Sequence, residues 1–199
     1  MNKYLLASAL ALLALSVACS PRDFLTRRLA AELITGSETF KATQKFWLRT
    51  GTTSNEDYTS PEYMVLQRRG WVTAANVPCS PEAKRPSCWD VALTPLGVGV
   101  FRDLIPPNAI QSQYISVSVA HRELVAITGI SKTGASADVE FSWRWVPLNE
   151  VGEALFGTGV QYKSTVTFRL YDDGWRVIEG EPPKIQGLDE ALKNAKPSQ

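Results

Sequence analysis

From Ala137 onward, hydrophobic side chains recur at every second position. Val139, Phe141, Trp143 and Trp145 alternate with Asp138, Glu140, Ser142 and Arg144, the pattern of a β-strand with one buried and one wet face. Val166, Phe168 and Leu170 repeat it against Thr165, Thr167 and Arg169. Asp172-Asp173-Gly174 is a tight-turn sequence, and Trp175-Arg176-Val177-Ile178 returns as the hairpin partner. Ile115 to Val119 begins an earlier strand, which Leu124 to Ile130 resumes after a break near His121. Residues 112–181 therefore read as a domain built on an antiparallel sheet of four or five strands. Pro147 to Gly159 is a longer connection with a helical turn at Val151–Phe156. Pro182-Pro183 ends the sheet, and residues 182–199 form a tail in which Leu188, Ala191 and Leu192 suggest a short helix.

Ile105-Pro106-Pro107-Asn108 marks an internal boundary, because two prolines bar helix continuation and stiffen the link. Upstream, residues 19–105 read as mostly helical. Pro21 and Asp23 open a helix whose stripe is Phe24, Leu25, Leu29, Leu33 and Ile34, with Gly36 as its stop. Phe40, Phe46, Trp47 and Leu48 fit either a helix or a strand. Gly51 to Thr59 is polar and turn-rich, a loop. Ser60-Pro61-Glu62 combines a cap, a proline at the first helical position and an acid in the first turn, and Gly70 stops the helix that follows. Trp71-Val72-Thr73 and Trp89 to Leu93 are two short strands. Thr94-Pro95 opens another helix carrying Leu96, Val98 and Phe101.

This order of helix, strand, hairpin, strand and helix over residues 58–101 resembles the winged-helix fold of transcription regulators. The expected fold class is thus α+β: a helical, winged-helix-like N-terminal half with a disulfide-stapled hairpin, followed by the antiparallel sheet. The resemblance implies a DNA-reading role for the helix Ser60–Arg69. Charge opposes it, because phosphate-driven attraction needs a basic surplus. Arg68, Arg69, Lys84 and Arg85 make at most a small patch, read as solvated charge, and nucleic acid is not an expected partner.

The start of the chain carries an address. Met1-Asn2-Lys3 precedes an apolar run from Tyr4 to Leu15 and the small residues Ser16, Val17 and Ala18, the layout of a secretory signal over residues 1–18. The run is too short to span ~30 Å of hydrocarbon as a permanent helix. Ser16-Val17-Ala18-Cys19 resembles the lipobox of bacterial lipoproteins. That resemblance implies a lipid-anchored protein of the cell envelope, with lipidation on Cys19. Ser20 after it implies the outer membrane, on the side facing the periplasm. Ordinary cleavage after Ala18, leaving Cys19 free, is the alternative. Loss of Lys3 with the signal leaves the remaining basic residues equal in number to the 20 acidic ones, so the mature chain is neutral.

Cys79 and Cys88 remain of the three cysteines, and in an oxidising compartment they read as a disulfide closing a short loop. A metal site is the rival reading, but two thiolates with only the distant His121 fall short of four ligands.

Chemistry-bearing motifs are sparse. His121 is the single histidine, and no Gly-x-Ser-x-Gly elbow, HExxH, phosphate loop or dinucleotide fingerprint accompanies it. No cofactor or metal is expected. Asp138 and Glu140 read as a solvated pair on a strand's polar face. The aromatics Trp143, Trp145 and Trp175, with Arg144 and Arg169 on the wet face, are either core or a binding surface for a glycan or an envelope protein. The expected function is a non-catalytic binding or scaffolding module; a cell-envelope hydrolase or a small-ligand carrier is the alternative.

Overall fold

The structure, a computed structural model, describes residues 24–79, 87–105, 114–157, 159–179 and 187–197. The signal segment with Cys19, Pro21 and Asp23, the pair Lys84 and Arg85, the Pro106-Pro107 junction and Pro182-Pro183 lie outside them. In chain order the elements are α1 (Arg27–Gly36), α2 (Glu38–Lys41), β1 (Gln44–Arg49), β2 (Gly51–Ser54), α3 (Asn55–Tyr58), α4 (Pro61–Arg68), β3 (Val72–Val77) and β4 (Cys88–Leu93). They continue with α5 (Pro95–Phe101), β5 (Tyr114–Thr133), β6 (Ser136–Pro147), α6 (Glu150–Phe156), β7 (Gln161–Tyr171), β8 (Gly174–Val177), α7 (Leu188–Lys193) and β9 (Lys196–Pro197). One sheet has the order β1-β5-β6-β7-β8, with β9 pairing to β7, and a second has the order β2-β4-β3.

Of the described residues, 47% are strand and 30% helix, which overturns the expectation of a helical, winged-helix-like N-terminal half. That half supplies four strands, and its helices are short. The reason is partner supply. β4 pairs on both sides, with β3 through Val72↔Leu93 to Val77↔Cys88 and with β2 through Gly51↔Val91 to Ser54↔Cys88. The polar stretch read as a loop from Gly51 is thereby drawn into the ladder, which its β-branched threonines tolerate. The ambiguous Phe46-Trp47-Leu48 resolves as strand: Phe46 and Leu48 are buried while Trp47 faces outward, a period of two. The break expected near His121 is absent, and β5 runs uninterrupted for 20 residues. The large sheet has six strands rather than four or five, because β1 and β9 join it.

The chain divides into two compact units. One comprises Met1–Lys41, Leu124–Trp143 and Tyr162–Gln199; the other comprises Ala42–Glu123 and Arg144–Gln161. In the first, α1 begins at Arg27 and is capped by Thr26, whose hydroxyl accepts from the Leu29 amide. Ala30 and Ile34 of α1 are buried, as are Val139, Phe141, Trp143, Val166, Phe168 and Trp175 of the strands. The hairpin is as expected: β7 and β8 pair from Phe168↔Val177 to Tyr171↔Gly174 around Asp172-Asp173. Leu188, Ala191 and Leu192 are the buried face of α7.

The second unit has its own core, in which Phe46, Leu48, Tyr63, Leu66, Trp71, Val91 and Phe101 meet Val117, Val119 and Val151. The disulfide joins Cys79 to Cys88, with their Cα atoms 5.0 Å apart, across the β3–β4 hairpin. Two helices dock by bringing backbone against backbone. The Thr94 hydroxyl caps α5 by accepting from the Gly97 amide at 3.0 Å, and the Thr94 amide donates to the Trp71 carbonyl at 3.0 Å. A Cβ at Gly97 would stand 1.9 Å from that same carbonyl oxygen, and one at Gly152 of α6 would stand 1.9 Å from the Val119 oxygen. Only glycine permits such approaches.

Gly99, on the same helix as Gly97, has open space around its Cα. Gly97→Ala should therefore cost about 3 kcal/mol through the backbone clash, whereas Gly99→Ala should add roughly 0.5–1 kcal/mol by removing chain entropy from the unfolded state. Urea unfolding of the two variants side by side checks the contrast.

Candidate functional site

In the second unit, β1 lays down an alternating face. Lys45, Trp47 and Arg49 point away from the core that Phe46 and Leu48 enter. Their partners on β5 are Ser118, Ser116 and Tyr114, so the six side chains share one face of the ladder. Trp47 and Tyr114 are 58% and 51% exposed, unusual for large aromatics and the reason to look here for a site.

Arg49 is held from several directions. Its guanidinium meets the Asp57 carboxylate at 2.5 Å and lies 4.5 Å over the Tyr114 ring. The Ser54 hydroxyl donates to the same Asp57 oxygen at 2.8 Å and accepts from the Asp57 amide at 3.1 Å, the cap of α3. The Tyr63 hydroxyl, from α4, donates to the Arg49 carbonyl at 2.9 Å and accepts from the Arg49 amide. Tyr63 sits there because Pro61 starts α4 and spacing of three puts Tyr63 and Leu66 on its buried face. Burial, the largest cause, pushes the Tyr63 phenol up to about 12, since a phenolate in that core would lose its hydration; the hydrogen bonds with Arg49 pull more weakly the other way.

Two hollows meet at this pair. A cleft of about 350 Å³ is walled by Trp47, Phe46, Tyr63 and Phe156, with Lys45 and Glu62 among its polar groups. A smaller hollow of about 290 Å³ is walled by Thr50, Thr52, Thr53 and Tyr114. Arg49 and Asp57 line both. The Thr53 hydroxyl is buried and without a hydrogen-bond partner among the described residues, a local cost in the wall of the smaller hollow.

The residues anticipated as a binding surface are distributed differently. Trp143 and Trp175 are core: Trp143 stacks on Tyr162 with ring centroids 4.8 Å apart and donates to the Ser164 hydroxyl at 3.0 Å, and Trp175 lies under the Lys132 ammonium. Trp145 is half-buried between the Arg122 guanidinium, 4.6 Å from its ring, and Phe156 at 5.2 Å, so it backs a wall of the larger cleft. Arg144 is exposed and grips Glu123 through two nitrogens. Arg169 is exposed on β7, opposite Arg176. The three indoles are thus not one platform. His121 lies half-buried in β5, and Asp138 accepts from Thr167 at 2.8 Å.

Trp47, Arg49, Asp57, Tyr63 and Tyr114 escaped the sequence reading. Only Trp47 left a signal: once Gln44–Arg49 is a strand, its indole falls on the face of Lys45 and Arg49. Among the described residues no group of three His, Cys, Asp or Glu side chains is placed to hold a metal ion. No family model, curated protein or solved structure matches this chain.

Tyr63→Phe should be destabilised by about 1–3 kcal/mol near neutrality, because the Arg49 amide and carbonyl lose their partner. In the wild type the neutral buried phenol contributes fully below about pH 10, its unfolded value, and that contribution is lost as pH rises through about 12. The gap between wild type and variant should therefore narrow by roughly 2 kcal/mol from pH 10 to pH 12. Urea midpoints across that range check it.

Proposed function

We propose that this chain is a lipid-anchored protein of the bacterial cell envelope that binds another envelope component without transforming it, and that the Trp47 cleft is where it binds. The observation that carries the binding half is an exposed indole beside an ion pair whose members are already fixed by neighbours. Exposed aromatic area supplies contact energy, and polar groups held in place spend little entropy on binding. Arg49 and Asp57 hold each other, and Tyr63 holds the Arg49 backbone, an arrangement suited to recognition. The anchoring half is supported by Leu15 to Cys19 and by the Cys79–Cys88 bridge, a bond favoured in an oxidising compartment. An outer-membrane position, facing the periplasm, follows from the same reading of Cys19 and Ser20.

Both halves are testable separately. Mass spectrometry of the mature N-terminus should find a diacylglyceryl group on Cys19, and Cys19→Ser should leave the detergent phase; an unmodified terminus would overturn the anchor. Crosslinking in intact envelopes followed by pull-down should lose about fivefold or more of its co-purifying component in Trp47→Ala, with an unchanged unfolding midpoint. Equal recovery from wild type and variant would remove the cleft from the binding role.

A further inference from the structure

Resting on that reading, we propose that the two hollows are consecutive subsites for a neutral oligosaccharide, one sugar ring stacking on the Trp47 indole and the next lying in the threonine-walled hollow beside Tyr114.

Charge balance is the first reason. The ionisable groups of the larger cleft include Lys45 and Arg49 against Asp57 and Glu62, and the smaller hollow holds Arg49 against Asp57. An anion drawn by Arg49 meets the Asp57 carboxylate 2.5 Å from the guanidinium, and a cation drawn by Asp57 meets the guanidinium. Neither sign gains a net attraction. A ligand of many hydroxyls does better, because each hydroxyl both donates and accepts and can use an arginine N–H and a carboxylate oxygen together.

The second reason is the match of faces. A pyranose has an apolar face of C–H groups and a polar rim. Trp47, 58% exposed, borders the cleft and can offer its indole to the apolar face, and the rim carries Lys45, Arg49, Asp57 and Glu62. The smaller hollow is bordered by Tyr114, whose ring carries the Arg49 guanidinium over one face, together with Thr50 and Thr52. Because Arg49 and Asp57 line both hollows, a single ion pair serves the hydroxyls on either side of one glycosidic link.

The test uses the full chain without its lipid, as Cys19→Ser, and titrates neutral mono-, di- and tetrasaccharides of glucose and of N-acetylglucosamine, in α- and β-linked forms, against tryptophan fluorescence and calorimetry. At least one disaccharide should bind about tenfold tighter than its monosaccharide, with little change as salt rises past the screening range. Trp47→Ala should abolish both. Thr52→Tyr, which fills the second hollow from an exposed position, should bring disaccharide affinity down to that of the monosaccharide while leaving the monosaccharide and the unfolding midpoint unchanged. Binding that does not rise from mono- to disaccharide, that survives Trp47→Ala, or that is absent for every sugar in the panel overturns the proposal. If the sugars fail while Trp47→Ala still loses the crosslinked envelope component, the cleft binds a protein and only the ligand class falls. If both fail, the binding role of the cleft falls with it.

Discussion

The candidate site depends on a helix gripping a strand by its backbone. The Tyr63 hydroxyl engages both the amide and the carbonyl of Arg49, the last residue of β1, from a side chain that is itself buried. A buried hydroxyl that satisfies a donor and an acceptor at once is worth more in place than its hydrogen bonds are worth on average, since removing it orphans both. That grip sets the position of the Arg49 side chain, which in turn meets Asp57 and covers the Tyr114 ring. Asp57 is itself positioned by Ser54 at the cap of α3. The chain of supports runs from core to surface, and each link narrows the freedom of the next.

Such a constellation differs from the charged pairs formed within a single helix or turn. Arg28–Glu32 and Arg176–Asp173 are exposed pairs within a few residues of each other, where solvent screens the attraction and little is decided by it. Arg49 and Asp57 are only about a third exposed and come from different elements. Their proximity is a product of packing, and both still border the hollows. The close backbone approaches at Gly97 and Gly152 belong to the same economy: they let α5 and α6 sit tightly, and the end of α6 delivers Leu155 and Phe156 to the cleft wall.

Legibility followed the range of the interaction. The β7–β8 hairpin was readable because Asp172-Asp173-Gly174 and the flanking alternation are local, and Gly174 adopts the positive φ the turn requires. The helices at Pro61 and Pro95 were readable from a proline at the first helical position, which acts within one turn; the Thr94 side chain caps its helix as expected, whereas the Ser60 side chain makes no capping hydrogen bond. The bridge between Cys79 and Cys88 followed from counting thiols. Phe141 and Phe168 as core followed from period alone. The threonine-rich β2 was not readable, because it becomes a strand only when β4 offers it an edge. The three indoles at 143, 145 and 175 were not separable either, since alternation says which face a residue takes and nothing of what covers that face.

By itself, then, the sequence determined the periods of β6, β7 and β8, the starts of two helices, the pairing of two thiols and the balance of charge, all properties of neighbours or of totals. The tertiary structure alone decided that Trp143 and Trp175 are covered while Trp47 is not, that a polar loop becomes a strand, and that Arg49 meets Asp57. These turn on which distant segments come together, and burial is conferred by whatever packs on top, which no local pattern encodes.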